Sequence, residues 1–556
     1  MADKETTRLC IQIIRDHFGS VTSRVAAELL GRGRLRLADI LRATRMRPKV
    51  IANALLVLIQ HNIVWYCEPE AVGQQFEINW NEILHRLRFG RYLSVARELF
   101  NEEGYDIVHL VMHHGKVRAG DVVPYFAEPT DMKRQPRYRN ALISLLNSQY
   151  LKPTAPVLQT SPGDRYLHYQ KDAERRKASA PNAKKGTISA KDRMEINQEA
   201  SKRLRDEVRS IERGGFKRRA NDLSIKESKG VNEEACLRLN ASKFDIHIRN
   251  HLIVASAAER YNASAGVVMR SILSAAAMSE STCTDVRSEP FSVQMVLQSL
   301  PASSTLNGIA IKVKGTSEQI RAAYAKEYIN VLCATDNPTT AGHASAFAAF
   351  TDGANSSSMS QRRIQVEYEM IAKLMRKDVY LTFVRQAYGS YAVRIVNILL
   401  EKGKTDEKAI ARSAMLSPKD VQSLLPKLSS SALISLQEVP RSSERSASKT
   451  IYLWFVCGST KHLFNSLKVP YKSLTNMHIR LFTESSTPTI SALLEKRERS
   501  DVRGREEELM TRDEREALQE YERKKERLRV LMGRVDESVF VMKDFCPTAG
   551  VGVEGL

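Results

Sequence analysis

Apolar residues recur at helical spacing from the start of the chain: Leu9, Ile13, Ile14 and Phe18, then a second amphipathic run from Val21 to Leu30. Beyond Gly31 and Gly33, Arg34 to Leu37 reads as a short strand, followed by a helix ending near Thr44 and a turn over Arg45, Met46 and Arg47. Pro48 opens a third helix, where its missing N–H costs nothing. Val50, Ile51, Ala54, Leu55, Leu58 and Ile59 form its predicted buried stripe. Ile63 to Cys67 is rich in β formers, and Gln74 to Trp80 alternates as a return strand. Helices, a turn, a further helix and a hairpin make the order of a winged helix, over residues 1–81.

The order returns near the C-terminal third. Leu381 to Leu400 predicts one long helix and Glu407 to Ala414 a short one, and Ser417 can cap a helix opened by Pro418. Leu433 to Leu436 and Ile451 to Val456 then predict a hairpin around the polar tip Arg441 to Lys449. At an offset of 370 residues Ile40 meets Ile410, Pro48 meets Pro418, Lys49 meets Lys419, Ile51 meets Val421, Leu55 meets Leu425 and Leu58 meets Leu428. A shared turn proline with a shared core pattern is an internal repeat.

Two weaker copies lie between. The first has helices at Tyr92 to Phe100, Ile107 to His113, Ala119 to Phe126 and Tyr138 to Ser148, with strands at Tyr150 and at Tyr166 to Tyr169. The second has helices at Phe244 to Tyr261, Val267 to Met278, Phe291 to Leu300 and Ser317 to Cys333, and a strand at Ile364 to Glu367. Between them, Lys171 to Gly230 holds 18 Lys and Arg against 10 Asp and Glu, which predicts a mobile basic linker. From Glu495 to Arg534, 13 basic and 12 acidic residues with partly seven-residue apolar spacing predict a helical hairpin or coiled coil. The fold class is therefore mainly α with small β-hairpins: four tandem winged helices at 1–81, 82–170, 236–378 and 379–460. A flexible linker at 171–235, a long loop at 341–360, C-terminal helices at 461–545 and a tail at 546–556 complete the expected layout.

Charge narrows the function. Lys and Arg number 85 against 64 Asp and Glu, a net +21 with a pI near 9.6, which suits a polyanionic partner. Seven scattered cysteines without a C-x-x-C support neither a disulfide framework nor a zinc site. The charged N-terminus has no apolar signal core, and the longest apolar setting, Val50 to Cys67, is too interrupted to span a membrane. A soluble protein of the cytosol or nucleus is expected.

No catalytic constellation emerges, and neither a cofactor nor a metal is expected. Gly403-Lys404-Thr405 lacks the glycine that a phosphate loop needs five positions earlier, where Ile398 stands, so it reads as a helix stop. His109, His113 and His114 have no completing carboxylate or cysteine. The basic residues say more. Arg32, Arg34, Arg36, Arg42, Arg45, Arg47 and Lys49 crowd the first turn, and Arg45, Arg47 and Lys49 are placed to meet a DNA backbone. Lys133, Arg134, Arg137 and Arg139 precede the second copy's third helix, and Lys217, Arg218 and Arg219 could contact nucleic acid or direct nuclear import. Leu56 and Val57 interrupt the would-be reading face with apolar surface, so backbone contact or protein docking is expected rather than base reading.

Leu9-Cys10 with His17-Phe18-Gly19, Val57 to Val64, Leu87-Arg88-Phe89-Gly90-Arg91-Tyr92, Phe244 through Ala255, Ser299-Leu300-Pro301, and Ser435 to Pro440 with Tyr452-Leu453 occur in one order along the chain. In that order they resemble the large winged-helix subunit of the RNA polymerase III initiation subcomplex, which is related to the alpha subunit of general transcription factor E. The resemblance is poor in the third unit and over Ala341 to Ser360. It implies four extended winged helices, a C-terminal coiled coil and a nuclear, non-catalytic subunit working in promoter recruitment and DNA opening. It implies docking on the clamp of the largest polymerase subunit, with a smaller winged-helix subunit and an acidic subunit as partners and promoter DNA nearby. Leu56 and Val57, with Leu509 and Leu528 of the C-terminal helices, are the candidate partner-binding positions. The rival classes are a winged-helix scaffold that never touches DNA, a stand-alone sequence-specific factor, and an enzyme relying on Lys404.

Overall fold

The computed structural model describes residues 3–67, 73–128, 131, 133–178, 190–214, 232–277, 282–301, 306–309, 316–334, 337–339, 342–344, 347–351, 362–440, 450–456, 461–499, 502 and 505–546. Their described parts divide into two compact units, one built from residues up to 244 and from 471 to 533, the other from 245 to 470 and from 534 onward.

In the first unit, helical residues Lys4–Arg32 are broken at Gly19, whose φ of 84° turns the chain before Val25, Ala26 and Leu29 join Leu9, Ile13 and Ile14 in the core. Strand Leu35–Arg36, helix Leu37–Thr44 and helix Pro48–Gln60 follow, then strands Val64–Cys67 and Gln75–Ile78. Of the predicted stripe on Pro48–Gln60, Ile51, Ala54, Leu55 and Leu58 are buried, whereas Val50 is exposed and Ile59 half-buried. The return strand is shorter than expected, because Asn79 caps a new helix that starts at Trp80.

The second module begins with helical residues Phe89–His114, broken at Asn101 (φ 59°). Strand Lys116–Arg118, helices Ala119–Phe126 and Arg134–Asn147, and strand Leu151–Thr154 follow. Two expectations fail after this point. Tyr166 to Tyr169 is not a strand but lies inside helix Pro162–Ala178, and the sheet is closed by Cys236–Leu239, which pairs with both earlier strands. The expected mobile linker holds the rest of that helix and the helix Ala190–Arg213. Ala173, Ile196 and Ala200 are buried there, and Arg165–Glu207 (3.0 Å), Arg176–Glu199 (3.5 Å) and Lys177–Glu195 (2.8 Å) link the two helices. The charges that suggested a solvated coil are rungs of an antiparallel pair.

The second unit opens its core around helix Ala263–Ala276, whose first turn is capped by Asn262. Strand Phe291–Ser292 occupies the start of the stretch predicted as one helix to Leu300, and helices Val293–Gln298 and Ser317–Cys333 follow. Strands Ala348–Phe350 and Arg363–Val366 complete a sheet, so part of the expected loop 341–360 is strand and most of the remainder lies outside the described residues. The predicted helix Leu381 to Leu400 is two, Tyr368–Tyr388 and Ser390–Lys402, because Gly389 adopts φ 85°. Strand Thr405–Asp406, helices Glu407–Ala414 and Pro418–Ser430, and strands Ser435–Pro440 and Thr450–Phe455 follow; the polar tip 441–449 lies outside the described residues.

The repeat at 370 residues extends to the backbone. Helices Leu37–Thr44 and Glu407–Ala414 correspond end to end, as do Pro48–Gln60 and Pro418–Ser430. Positive φ recurs at Gly19 and Gly389, Gly33 and Gly403, Arg45 and Met415, and Asn62 and Ala432. Among the described residues there are four three-stranded antiparallel sheets, and in each the last strand lies between the first and second.

The C-terminal segments return to the first unit. Asp16 bonds His478 at 2.6 Å, and the Arg15 guanidinium lies 4.0 Å over the Phe482 ring. Helices Pro488–Glu498 and Arg512–Val539 form the expected hairpin about Val502, Met510 and Leu518, with Lys496–Glu514 and Arg497–Glu522 ion pairs. The expected free tail begins too early: Cys546 is buried, its N–H donates to Cys283 O, and Arg376 donates to the carbonyls of Val541, Phe545 and Cys546.

Candidate nucleic-acid interface

Arg45, Arg47 and Lys49 sit together where the second helix of the first module turns into the third. Arg45 takes the left-handed conformation (φ 53°), Arg47 the extended N-cap geometry, and Pro48 starts the helix. All three cations are exposed, and none has an ion-pair partner among the described residues. The first turn of helix Pro48–Gln60 carries no acidic residue. Three positive charges therefore add to the positive end of the helix dipole, which costs stability and strengthens the field that an anion would meet.

The other four cations of the crowded stretch are engaged. Arg32 pairs with Glu28 (3.0 Å), Arg34 with Glu77 and Asp164 (2.5 and 2.8 Å), and Arg36 and Arg42 with Asp39 (3.2 and 3.9 Å). On the outer face of helix Pro48–Gln60, Leu56 is 63% exposed and Val57 40%, beside exposed Val50 and Asn53. That face offers few hydrogen-bonding groups to base edges.

The second module places Lys133, Arg134, Arg137 and Arg139 at the same turn, all exposed. Arg134 reaches Asp131 at 3.8 Å and Arg137 reaches Glu103 at 3.9 Å, approaches too long and too exposed to neutralise them. Helix Arg134–Asn147 again has no acid in its first turn. Tyr138 fixes the patch by donating to Asp106 (2.8 Å) and stacking on Phe126 at 5.0 Å. Lys217, Arg218 and Arg219 lie outside the described residues. The repeat near the C-terminal third departs from this pattern: Met415, 88% exposed, replaces Arg45, and Ser417 with Asp420 forms a cap in place of Arg47. Of the remaining candidates, Leu509 is exposed and Leu528 half-buried, both in the C-terminal hairpin.

Residues with no sequence signal build the joint between the first two modules. Lys116 donates to Ile59 O (2.7 Å), and Gln60 donates to His114 O and Lys116 O (3.1 and 2.8 Å). Burial pushes the Lys116 ammonium down to about 8. Burial, with Arg86, His113, His114 and His17 adding repulsion, pushes the His61 imidazole down to about 3. Since His61 stays neutral in the fold but charges near its ordinary 6.5 when unfolded, its contribution is complete above pH 6.5 and is lost as pH falls toward 3. Denaturant unfolding followed against pH is expected to weaken below about pH 6.5, and His61→Gln is expected to flatten that decline.

Gly403 ends helix Ser390–Lys402 at φ 73°, and Lys404 lies 5.5 Å over the Phe455 ring, a helix stop rather than a phosphate loop. Among the described residues no group of His, Cys, Asp and Glu is arranged to hold a metal ion, and no helix is long and apolar enough to cross a membrane.

Helix order, repeated left-handed turns and three-stranded sheets define a winged-helix protein. Residues 8–69 match the model described as the RNA polymerase III subunit RPC82 helix-turn-helix domain, and 140–361 that of RNA polymerase III subunit RPC82. Residues 381–456 match the POLR3C C-terminal winged-helix domain, and 492–541 the helical hairpin domain of DNA-directed RNA polymerase III subunit RPC3. The chain is 24% identical to the rat DNA-directed RNA polymerase III subunit RPC3, covering 97% of each chain, and 23% identical to the human protein of that name at the same coverage. It is 24% identical to subunit RPC-3 of Coccidioides immitis, over 97% of this chain and 99% of the fungal one. The chain belongs to this RPC3 (RPC82) family of RNA polymerase III subunits.

Proposed function

We propose that this chain is a nuclear, non-catalytic subunit that works at transcription initiation, in promoter recruitment and DNA opening. Its four sheet-bearing modules are read as winged helices that grip DNA backbone and partner subunits. The observation that carries the DNA role is the turn of Arg45, Arg47 and Lys49, exposed, without an ion-pair partner among the described residues and set on a helix end with no acid in its first turn. Lys133, Arg134, Arg137 and Arg139 at the equivalent turn extend it. Leu56, Val57, Leu509 and Leu528 are the proposed contacts to other subunits: the largest-subunit clamp, a smaller winged-helix subunit and an acidic subunit.

The test is duplex and single-stranded DNA binding by the purified chain across a salt series. Replacing Arg45, Arg47 and Lys49 together by Ala is expected to weaken binding alike on unrelated sequences, and to lower the salt slope by about 0.9 for each duplex phosphate that no longer meets a cation. Absence of affinity even at low salt, or a loss confined to one sequence, contradicts the proposal. The exposure of Leu56 supports a second reading, a scaffold that docks proteins only. A crosslink from the first module to promoter DNA in the assembled polymerase would decide against it.

A further inference from the structure

Arg86 lies in the short turn Arg86–Arg88 between the first two modules and is only 8% exposed. Its guanidinium stands 4.3 Å over the Phe18 ring and 5.2 Å over Phe89. Among the described residues no hydrogen bond or ion pair engages it. Two aromatic faces offset part of the cost of burying a cation, and its N–H donors, which no described residue accepts, are left to the solvent of the adjoining cavity. Arg86 instead lines a cavity of about 40 Å³ together with His61, Asn62, His85, Phe89 and Glu82. Asn62 brings two further donors and each histidine one ring N–H. Glu82 is the one acid in that wall, and it makes no ion pair with Arg86 among the described residues.

We propose that this cavity is a binding site for a single phosphate group, taken up between the first and second modules with Arg86 as its principal ligand. The group enters as inorganic phosphate or as the terminal phosphate of a strand. Its charge would meet the largely buried guanidinium, which no ion pair engages among the described residues, as a planar fork of donors is suited to do. Burial lowers the Arg86 pKa to about 10, against the opposing attraction of the Glu82 carboxylate in the same wall. The site does not depend on the DNA contacts proposed above, since none of those residues lines it.

Arginine-selective modification of the full chain, read peptide by peptide by mass spectrometry at fixed ionic strength, tests this without a variant. Inorganic phosphate in place of chloride is expected to slow modification of Arg86 at least tenfold and to leave Arg45 and Arg47 unchanged. An oligonucleotide with a 5′-phosphate is then compared with its 5′-hydroxyl twin: protection by the former identifies a strand end as the source, and protection by inorganic phosphate alone the free ion. In parallel, phosphate binding by calorimetry is expected to vanish in Arg86→Met and to persist, weakened, in Arg86→Lys. Equal protection by chloride, protection by an acidic peptide but not by phosphate, or unchanged phosphate binding in a folded Arg86→Met chain would overturn the proposal.

Discussion

Tyr92→Ala is expected to destabilise the second module by about 3–5 kcal/mol, the usual cost of deleting a fully buried aromatic side chain. Tyr92 has no exposed surface and stacks on Phe244 at 5.1 Å, and Phe244 in turn meets the Tyr150 ring edge-on at 4.9 Å. One substitution thus strips packing from helical residues Phe89–His114 and from the residues around strand Leu151–Thr154 at once. Hydrogen exchange should speed up across those segments and in Cys236–Leu239, while helix Pro418–Ser430 keeps its protection. Tyr92→Phe keeps the ring and removes a hydroxyl that stands 3.4 Å from His85 Nδ1, so it should cost less than about 1 kcal/mol. Equal effects of the two substitutions would show that the ring is not the anchor.

Gly115→Ala ranks second, at about 3 kcal/mol when left-handed strain and broken hydrogen bonds are combined. Gly115 has φ 79°, and a Cβ there would stand 2.5 Å from Gln60 O and 2.8 Å from His61 Nδ1. The backbone would have to shift, pulling Gln60 from His114 O and Lys116 from Ile59 O. Gly389→Ala is a control for positive φ without collision, because Gly389 has φ 85° with nothing within 4 Å of the added atom. It should cost about 1 kcal/mol. Comparing the two by denaturant unfolding separates strain from collision; similar losses would remove the joint from the stabilising features of the fold.

Core periodicity made the first module and its distant copy legible, since Ile51, Leu55 and Leu58 repeat in kind as Val421, Leu425 and Leu428. The second copy was harder to read because it keeps the backbone and changes the residue. Asn101 takes the bend that Gly19 makes, and Gln149 (φ 62°) the left-handed turn of Asn62. Periodicity does not register such exchanges. The helices of the supposed linker were missed because ion pairs and a few small buried positions, Ala173 and Ala200 with the single large apolar Ile196, hold them together rather than a full apolar stripe. Within the basic cluster, composition could not separate Arg45, Arg47 and Lys49 from Arg34, because Arg34 acquires Asp164 only through tertiary folding. Arg86 carried no signal at all, being one arginine in a basic stretch until Phe18 and Phe89 are folded around it.

The late arrival of strand Cys236–Leu239 has a consequence for biosynthesis. The first module has its whole sheet in hand once Ile78 has left the ribosome, whereas the two outer strands of the second have no partner in their sheet until the central strand emerges with Leu239. A nascent chain stalled between Thr154 and Cys236 would present those two unpaired strands to its neighbours, and chaperones would be needed there more than anywhere in the first module.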